Sequence, residues 1–342
     1  MTMDSPSSAK RPRTDSTATN DVVITRSPVW YSDGSVVLQA ELTQFRVHAS
    51  ILSAGSSVFK DMFEVAQAPI NPEEQVEGCP LIHLYDDSAQ EVEVVLMALY
   101  DRNFYKKDIK SFLQVAAMWR LGKKYEFDEL RDDALHRLES TYPNNLADYQ
   151  AFYHPKASDV PPKHLISMSG GLLFEVIELA RATGLNSILP AAFYRVCSKS
   201  RNQRAIHEYI FSQQEGLHGM PVQLSDSDKR LCILATSDLL EKQWKGPYTL
   251  ANNYNRTRKC SMTWDGPCVG VPDLARSSLG GLVQLVVALE PAMLTLFIDP
   301  SCTECKADRQ TRFAAAQLQL WEELPSIFGL PSWGEIKKQR SG

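Results

Sequence analysis

The chain lacks any run of about 18 or more apolar residues, the length that a membrane-spanning helix requires. Its nearest approach, Leu282 to Ile298, is interrupted by Gln284, Glu290 and Pro291 and reads as a buried core segment. The opening MTMDSPSSAKRPRTDS has no apolar stretch of the secretory type, so the expected compartment is the nucleus or the cytoplasm. Cysteine is sparse: seven in 342 residues, an odd number, fits reduced thiols better than a disulfide framework. An excess of positive charge is missing too. The formal net charge is -5 and the pI near 5.9. Phosphate contacts demand Lys and Arg, so nucleic acid is not expected as the main partner. No repeat of fixed period occurs. Phosphate-loop, dinucleotide, H-E-x-x-H and G-x-S-x-G motifs are all absent, so no enzyme is expected. Gly170-Gly171 and Gly280-Gly281 read as turns. Asp86-Asp87 and Asp132-Asp133 are paired only along the chain, since adjacent helical residues point in different directions.

What is present is an ordinary globular composition, 44% hydrophobic and 23% charged, long enough for two or three domains. Residues 1–26 are rich in Ser, Thr, Pro and Asp and cannot bury enough surface to offset their ordering entropy, so a disordered tail is expected there. Lys10, Arg11 and Arg13 within it read either as a nuclear import signal or as a solvated basic tail. From Pro28 onward, residues 27–142 spell a compact α+β domain. Val36 to Ala40 and Gln44 to His48 read as strands joined by a short connection, and Leu81 to Tyr85 as a third. A helical stretch from Ala49 to about Val65 carries a break near Gly55, and Ala66 to Cys79 reads as a loop. Ser88 with Glu91 predicts a capping box for the next helix, Asp108 a cap for the helix bearing Phe112 and Trp119, and Asp128 a cap for the one ending before Pro143. Residues 143–243 are expected to be mainly helical, with patterns at Leu172 to Ala182, Ile188 to Cys197 and from Asp226. Residues 244–342 form a Cys- and Trp-containing C-terminal region, expected to be α+β. In it an amphipathic helix runs from Arg309 to Leu324 and is ended by Pro325.

The stretch Phe45 to Phe63, FRVHASILSAGSSVFKDMF, resembles the BTB/POZ family. That family's signature spacing is met by His48, Leu52, Ser56 and Phe59, followed by Met62 and Phe63. Asp33 stands where the family has an Asp before its first strand. Ala116 to Leu138, with Lys124-Tyr125 ahead of a Leu-rich helix, resembles the family's closing helices. The whole chain also resembles a set of BTB-domain proteins of mushroom-forming fungi, through its domain order and an ending like Phe328 to Trp333. The resemblance implies an interaction domain that binds other proteins, with a cullin-type ubiquitin ligase as an alternative partner. It also implies homodimers in many members, through an apolar helix ahead of the first strand. Here Thr14 to Gly34 shows no helical stripe, and Met62-Phe63-Glu64 meets the cullin-binding pattern too early in the chain. Read bottom-up, the signature residues have structural roles: His48 as a satisfied imidazole, Ser56 bonding backbone, and Phe59, Met62 and Phe63 in the core.

Cys260, Cys268, Cys302 and Cys305 form the sharpest remaining constellation. Cys302-Thr303-Glu304-Cys305 is a Cys-x-x-Cys, able to aim two thiolates at one ion, and Cys260 with Cys268 is a looser pair. Structural zinc, unligated thiols and a redox pair all stay open. A redox motif should open a helix after a strand, for which Leu294 to Ile298 is the candidate.

Overall fold

The computed structural model describes residues 23–65, 75–106, 108–155, 163–167, 171–199, 203–216, 219–245 and 302–340, with short pieces at 257–258, 260–262, 268 and 288–291. Among the described residues, no helix is long and apolar enough to cross a membrane.

Strand β2 (Val36–Ala40) pairs antiparallel with β3 (Thr43–Val47), from Val36↔Val47 to Ala40↔Thr43. Val36, Val37, Leu38 and Ala40 are all buried, as the near-continuous apolar run of a strand covered on both faces requires. The hairpin turns at Glu41, which takes a positive φ of 50°. That conformation is unfavourable for a residue with a side chain. The Glu41 carboxylate gains a partner there, accepting the Ala89 N–H at 3.1 Å at the start of α3 (Ala89–Tyr100). The expected Ser88–Glu91 capping box is therefore not formed. Ser88 makes no side-chain cap bond, and Glu91 is drawn to Arg120.

The sheet is completed by β5 (Cys79–His83), parallel to β2, and by two edge strands that periodicity did not reveal. These are β1 (Thr25–Trp30), parallel to β3, and β4 (Gln75–Val76), a hairpin partner of β5. The strand order is β1-β3-β2-β5-β4. Pro28 is tolerated because β1 is an edge. The described part of the segment ahead of β2 is thus a strand and not a helix. Of the loop expected from Ala66 to Cys79, residues 66–74 lie outside the described ones, and the rest is β4, a turn at Glu77-Gly78 and the first residue of β5.

The helical stretch after the hairpin is two helices, α1 (Ala49–Gly55) and α2 (Ser57–Val65). Next come α4 (Phe112–Lys124) and α5 (Asp128–Thr141). Ser111, not Asp108, caps α4, in a reciprocal box with Gln114. Asp108 pairs instead with Lys163 at 2.5 Å. Asp128 is the first residue of α5, with Phe127 at the N-cap, so it favours the helix through its charge rather than a cap bond. Helix α4 is apolar around most of its circumference and buried accordingly. A Cβ at Gly122 would lie 2.9 Å from the Arg131 amide nitrogen, which is why α5 can approach so closely.

The core does not stop at residue 142. Lys110 and Ile166 form a parallel bridge, and Trp119 Nε1 donates to Thr183 Oγ1 at 2.8 Å. One apolar cluster runs from Val36 through the later helices to Ile336. Those helices are α6 (Leu146–Tyr153), α7 (Leu172–Thr183), α8 (Leu189–Cys197), α9 (Gln203–Phe211), α10 (Asp226–Lys245), α11 (Thr303–Ile327) and α12 (Trp333–Arg340). Between α9 and α10 lies a short hairpin, β6 (Gln214–Glu215) and β7 (Pro221–Val222). Gly184, at φ 71°, ends α7 in the left-handed conformation that glycine adopts freely. The described elements of the C-terminal hundred are helices, and the strand expected at 294–298 lies outside the described residues.

Helix α11 starts before Arg309 and passes through Pro325 into a last turn. Proline has no N–H to give to the Trp321 carbonyl one turn back. The Trp333 indole fills that gap, donating to Trp321 O at 2.9 Å, and the two indoles stack with centroids 5.5 Å apart. A Trp333→Phe variant should lose about 1–3 kcal/mol in urea unfolding, the cost of a buried unpaired carbonyl plus some packing. In a Pro325→Ala background the loss should shrink, since that substitution restores the helical donor; equal losses in both backgrounds would refute this pairing.

His154 caps the C-terminal end of α6. Burial, and then the Arg195 charge, pull its imidazole down to about 4. Between that value and the ordinary 6.5 the unfolded chain binds a proton that the native state does not. The stability held by the neutral ring is full above pH 6.5 and falls away toward pH 4. Unfolding midpoints of wild type and a His154→Phe variant should therefore diverge in that window; parallel profiles would show that the ring does not titrate there.

Candidate functional site

The junction of α1 and α2 with the α4–α5 turn holds most of the predicted signature. Ser56, buried between the two helices, donates its hydroxyl to the Tyr125 carbonyl and accepts the Phe59 amide at 3.0 Å. It therefore closes α1, opens α2 and ties both to a residue 69 positions away. Phe59 stacks on Tyr125 with centroids 4.7 Å apart and meets Phe127 at 5.8 Å. Leu52 is fully buried beneath them. Met62 and Phe63 are half-buried against the same core.

His48 sits at the strand-to-helix corner. Its amide donates to Tyr100 Oη at 2.8 Å, and its Nε2 lies 3.3 Å from Asp33 Oδ1. The Asp33 carboxyl, hydrogen-bonded to His48, is held below the usual carboxylate range. It is 81% exposed, so the pair is a surface contact and not a buried catalytic dyad. Ser35 Oγ accepts the Ala49 amide at 3.0 Å and supplies the cap that His48 does not.

Asp87 was hidden from sequence reasoning. It is buried, accepting from Lys124 Nζ at 2.7 Å and from the Tyr125 hydroxyl. Burial and this carboxylate push the Tyr125 phenol far up. The Lys-Tyr pair of the closing helices is thus an anchor for Asp87. Its one sequence signal was an acidic residue just before a helix, which is common on any surface.

Outward-facing apolar side chains gather at the β1 edge. The Thr25 amide donates to Leu42 O at 2.8 Å and brings Val23 (69% exposed) and Ile24 (49%) beside Leu42 (47%). A separate broad groove of about 1010 Å³ lies between α7 and the start of α10. Arg181 and Asp228, paired at 2.8 Å, lie along it with Phe174 and Phe328. It carries both signs of charge and is open.

The four candidate metal ligands do come together. The Sγ atoms of Cys260, Cys268, Cys302 and Cys305 all lie within 4.8 Å of one another. Cys302 is the N-cap of α11 and Cys305 lies in its first turn, so the Cys-x-x-Cys does open a helix. The Cys305 amide leads the contacts that draw the Cys302 thiol down to about 6, while burial pushes Cys268 up to about 12. Four convergent sulfurs can hold a metal ion.

Residues 31–135 match the family model described as the BTB/POZ domain. The match takes in the β2–β3 hairpin, the Ser56 junction and the helices through most of α5. No curated protein matches the chain. BTB/POZ domains are a general protein-binding and dimerising module and are not catalytic.

A Ser56→Ala variant leaves the Tyr125 carbonyl and the Phe59 amide short of a partner inside the core. It should cost about 2 kcal/mol in denaturant unfolding. A loss within error of zero would mean that the hydroxyl is not the link between α2 and Tyr125.

Proposed function

With a BTB/POZ domain at residues 31–135 as the premise, we propose that the chain is a protein–protein interaction scaffold and not an enzyme. The domain match carries this reading. It is supported by the use of Ser56, Phe59, Lys124 and Tyr125 in holding the domain together, which leaves binding to its surface. The exposed Val23, Ile24 and Leu42 lie beside a strand edge that pairs with no other strand among the described residues, and suit a partner that adds apolar side chains or a strand there. The four-part division of the chain, and kinship with BTB-domain proteins of mushroom-forming fungi, belong to the same proposal. So does location in nucleus or cytoplasm; Lys10, Arg11 and Arg13 lie outside the described residues. The cysteine cluster takes a structural task in this reading, with zinc as the ion that four thiolates suit.

A substrate adaptor of a cullin-type ubiquitin ligase is the second reading. It is favoured by Val65, 80% exposed immediately behind Met62-Phe63-Glu64. Deleting the domain would not separate the two, because α7 packs on α4 and would lose its cover. Full-length tagged protein should instead be purified from cells beside a Val23→Asp/Leu42→Asp variant and a Val65→Asp variant. Mass spectrometry should show the main partner lost from the first variant and retained by the second. A cullin lost selectively from Val65→Asp would make the adaptor reading the correct one, and partners unaffected by either variant would rule out both surfaces.

A further inference from the structure

The cysteine cluster supports more than proximity. The four cysteines form no disulfide, and Cys302 Sγ lies 3.8 Å from Cys260 Sγ, far beyond a disulfide bond. A tetrahedron of sulfurs about 2.3 Å from a central Zn²⁺ has edges of about 3.8 Å. The spread within 4.8 Å therefore leaves room for one ion at the centre. A two-metal cluster would push its terminal sulfur pairs further apart.

Hydrogen-bond donors turn to several of the sulfurs. The Cys302 amide donates to Cys268 Sγ at 3.2 Å, and the amides of Cys305 and Ser261 turn to Cys302 Sγ. Thr257 Oγ1 lies 3.7 Å from Cys305 Sγ. Such second contacts orient ligating sulfurs and steady their charge. Four thiolates around Zn²⁺ carry a net charge of about −2, and two positive features face them. One is the N-terminus of α11, on which Cys302 sits. The other is Arg309, buried one turn past Cys305, whose Nη2 donates to the Cys268 carbonyl at 3.1 Å.

The other two readings fit less well. A redox Cys-x-x-Cys needs its attacking sulfur open to a partner disulfide, but Cys302 is 9% exposed and Cys305 fully buried. It also gives no reason for Cys260 and Cys268 to converge on the same point. Unligated thiols would be a separate cluster of sulfurs packed on one another, with no larger apolar side chain among its buried members that lie within the described residues. Sulfurs packed only on sulfurs would contribute little burial for the chain they must order.

We infer that Cys260, Cys268, Cys302 and Cys305 bind a single tetrahedral Zn²⁺ that fastens the start of α11 to sequence as far as 42 residues upstream. The inference rests on the structural role given to the cluster above and is independent of which partner the BTB/POZ domain binds. Farther along α11, Gln317 Nε2 donates to Ala288 O at 2.8 Å, Gln150 Nε2 to Gln317 Oε1 at 3.1 Å, and Trp321 meets Tyr149 at 5.2 Å. Fixing one end of α11 with the ion therefore fixes how the helix lies against α6. The ion is a clasp between the C-terminal helices and the rest of the chain.

The test uses full-length protein purified without chelator from zinc-supplemented cells. Elemental analysis should find one zinc and less than a tenth of an equivalent of iron per chain. Exchange for Co²⁺ should give the intense visible bands and the near-ultraviolet thiolate charge-transfer band of a tetrahedral all-sulfur site. Cys260→Ser, at the least buried ligand, should weaken the charge-transfer band and speed zinc loss to a chelator at least tenfold. Chelated wild type should show new proteolytic cuts at the start of α11. Protein carrying no zinc, carrying iron instead, or giving a Co²⁺ spectrum without sulfur charge transfer would overturn the inference. Since the Co²⁺ spectrum is read on wild type, a misfolded variant could not mimic that result. Partner capture by the BTB/POZ domain is scored separately, so either reading can fail alone.

Discussion

Four consecutive residues of α4, Val115 to Met118, are completely withdrawn from solvent, and the arrangement of the other elements follows from that burial. A helix needs cover on every side for four successive positions to be dry, because they point about 100° apart around its axis. Helices α3, α5 and α7 supply the cover. Gly122 sets the closeness of α5, since any side chain there would run into the Arg131 backbone. Because α7 comes from beyond the BTB/POZ domain, that domain and the helices after it share one core. Apolar packing therefore runs unbroken from the sheet into the helices that follow it.

Around α4, the backbone groups left over at corners are satisfied from a distance. The first amide of α3 goes to Glu41, the first amide of α1 to Ser35, the Tyr125 carbonyl to Ser56 and the Trp321 carbonyl to Trp333. Each is a helix end or a proline gap where the chain cannot pair locally, and an unpaired group in a dry core is costly. These long-range bonds fix the fold's corners more sharply than apolar packing alone, which tolerates substitution as long as volume and pattern are kept. The cysteine cluster likewise brings distant positions together at a helix start.

Much of the architecture was legible in the sequence because it is periodic. Val36 to Ala40 was read with its true bounds, and the helices at 172, 189 and 226 within a few residues. The BTB/POZ signature was legible because its spacing reflects packing: Leu52, Ser56 and Phe59 recur at intervals that bring them to one junction, with His48 at the corner where their helix begins. What escaped was short or polar. Strands β1 and β4 carry too few apolar residues to show alternation. Helices α6, α9 and α12 are short segments whose faces blend with neighbouring loops. The caps differed for separate reasons: the distant Glu41 takes the first amide of α3 in place of Ser88, whereas α4 is capped by the nearer Ser111 and Asp108 pairs with Lys163.

The sequence by itself determined the class of the chain, the position of its interaction domain and the identity of the four sulfurs, since each depends on residue type and interval. The tertiary structure alone decided that these sulfurs meet within 4.8 Å of one another, that the Cys-x-x-Cys opens a helix, and that the core continues past residue 142. It alone decided that Asp87 is an anchor and His48 a corner post. Those outcomes depend on which distant groups meet, and intervals along a chain do not encode meetings across 30 to 70 residues.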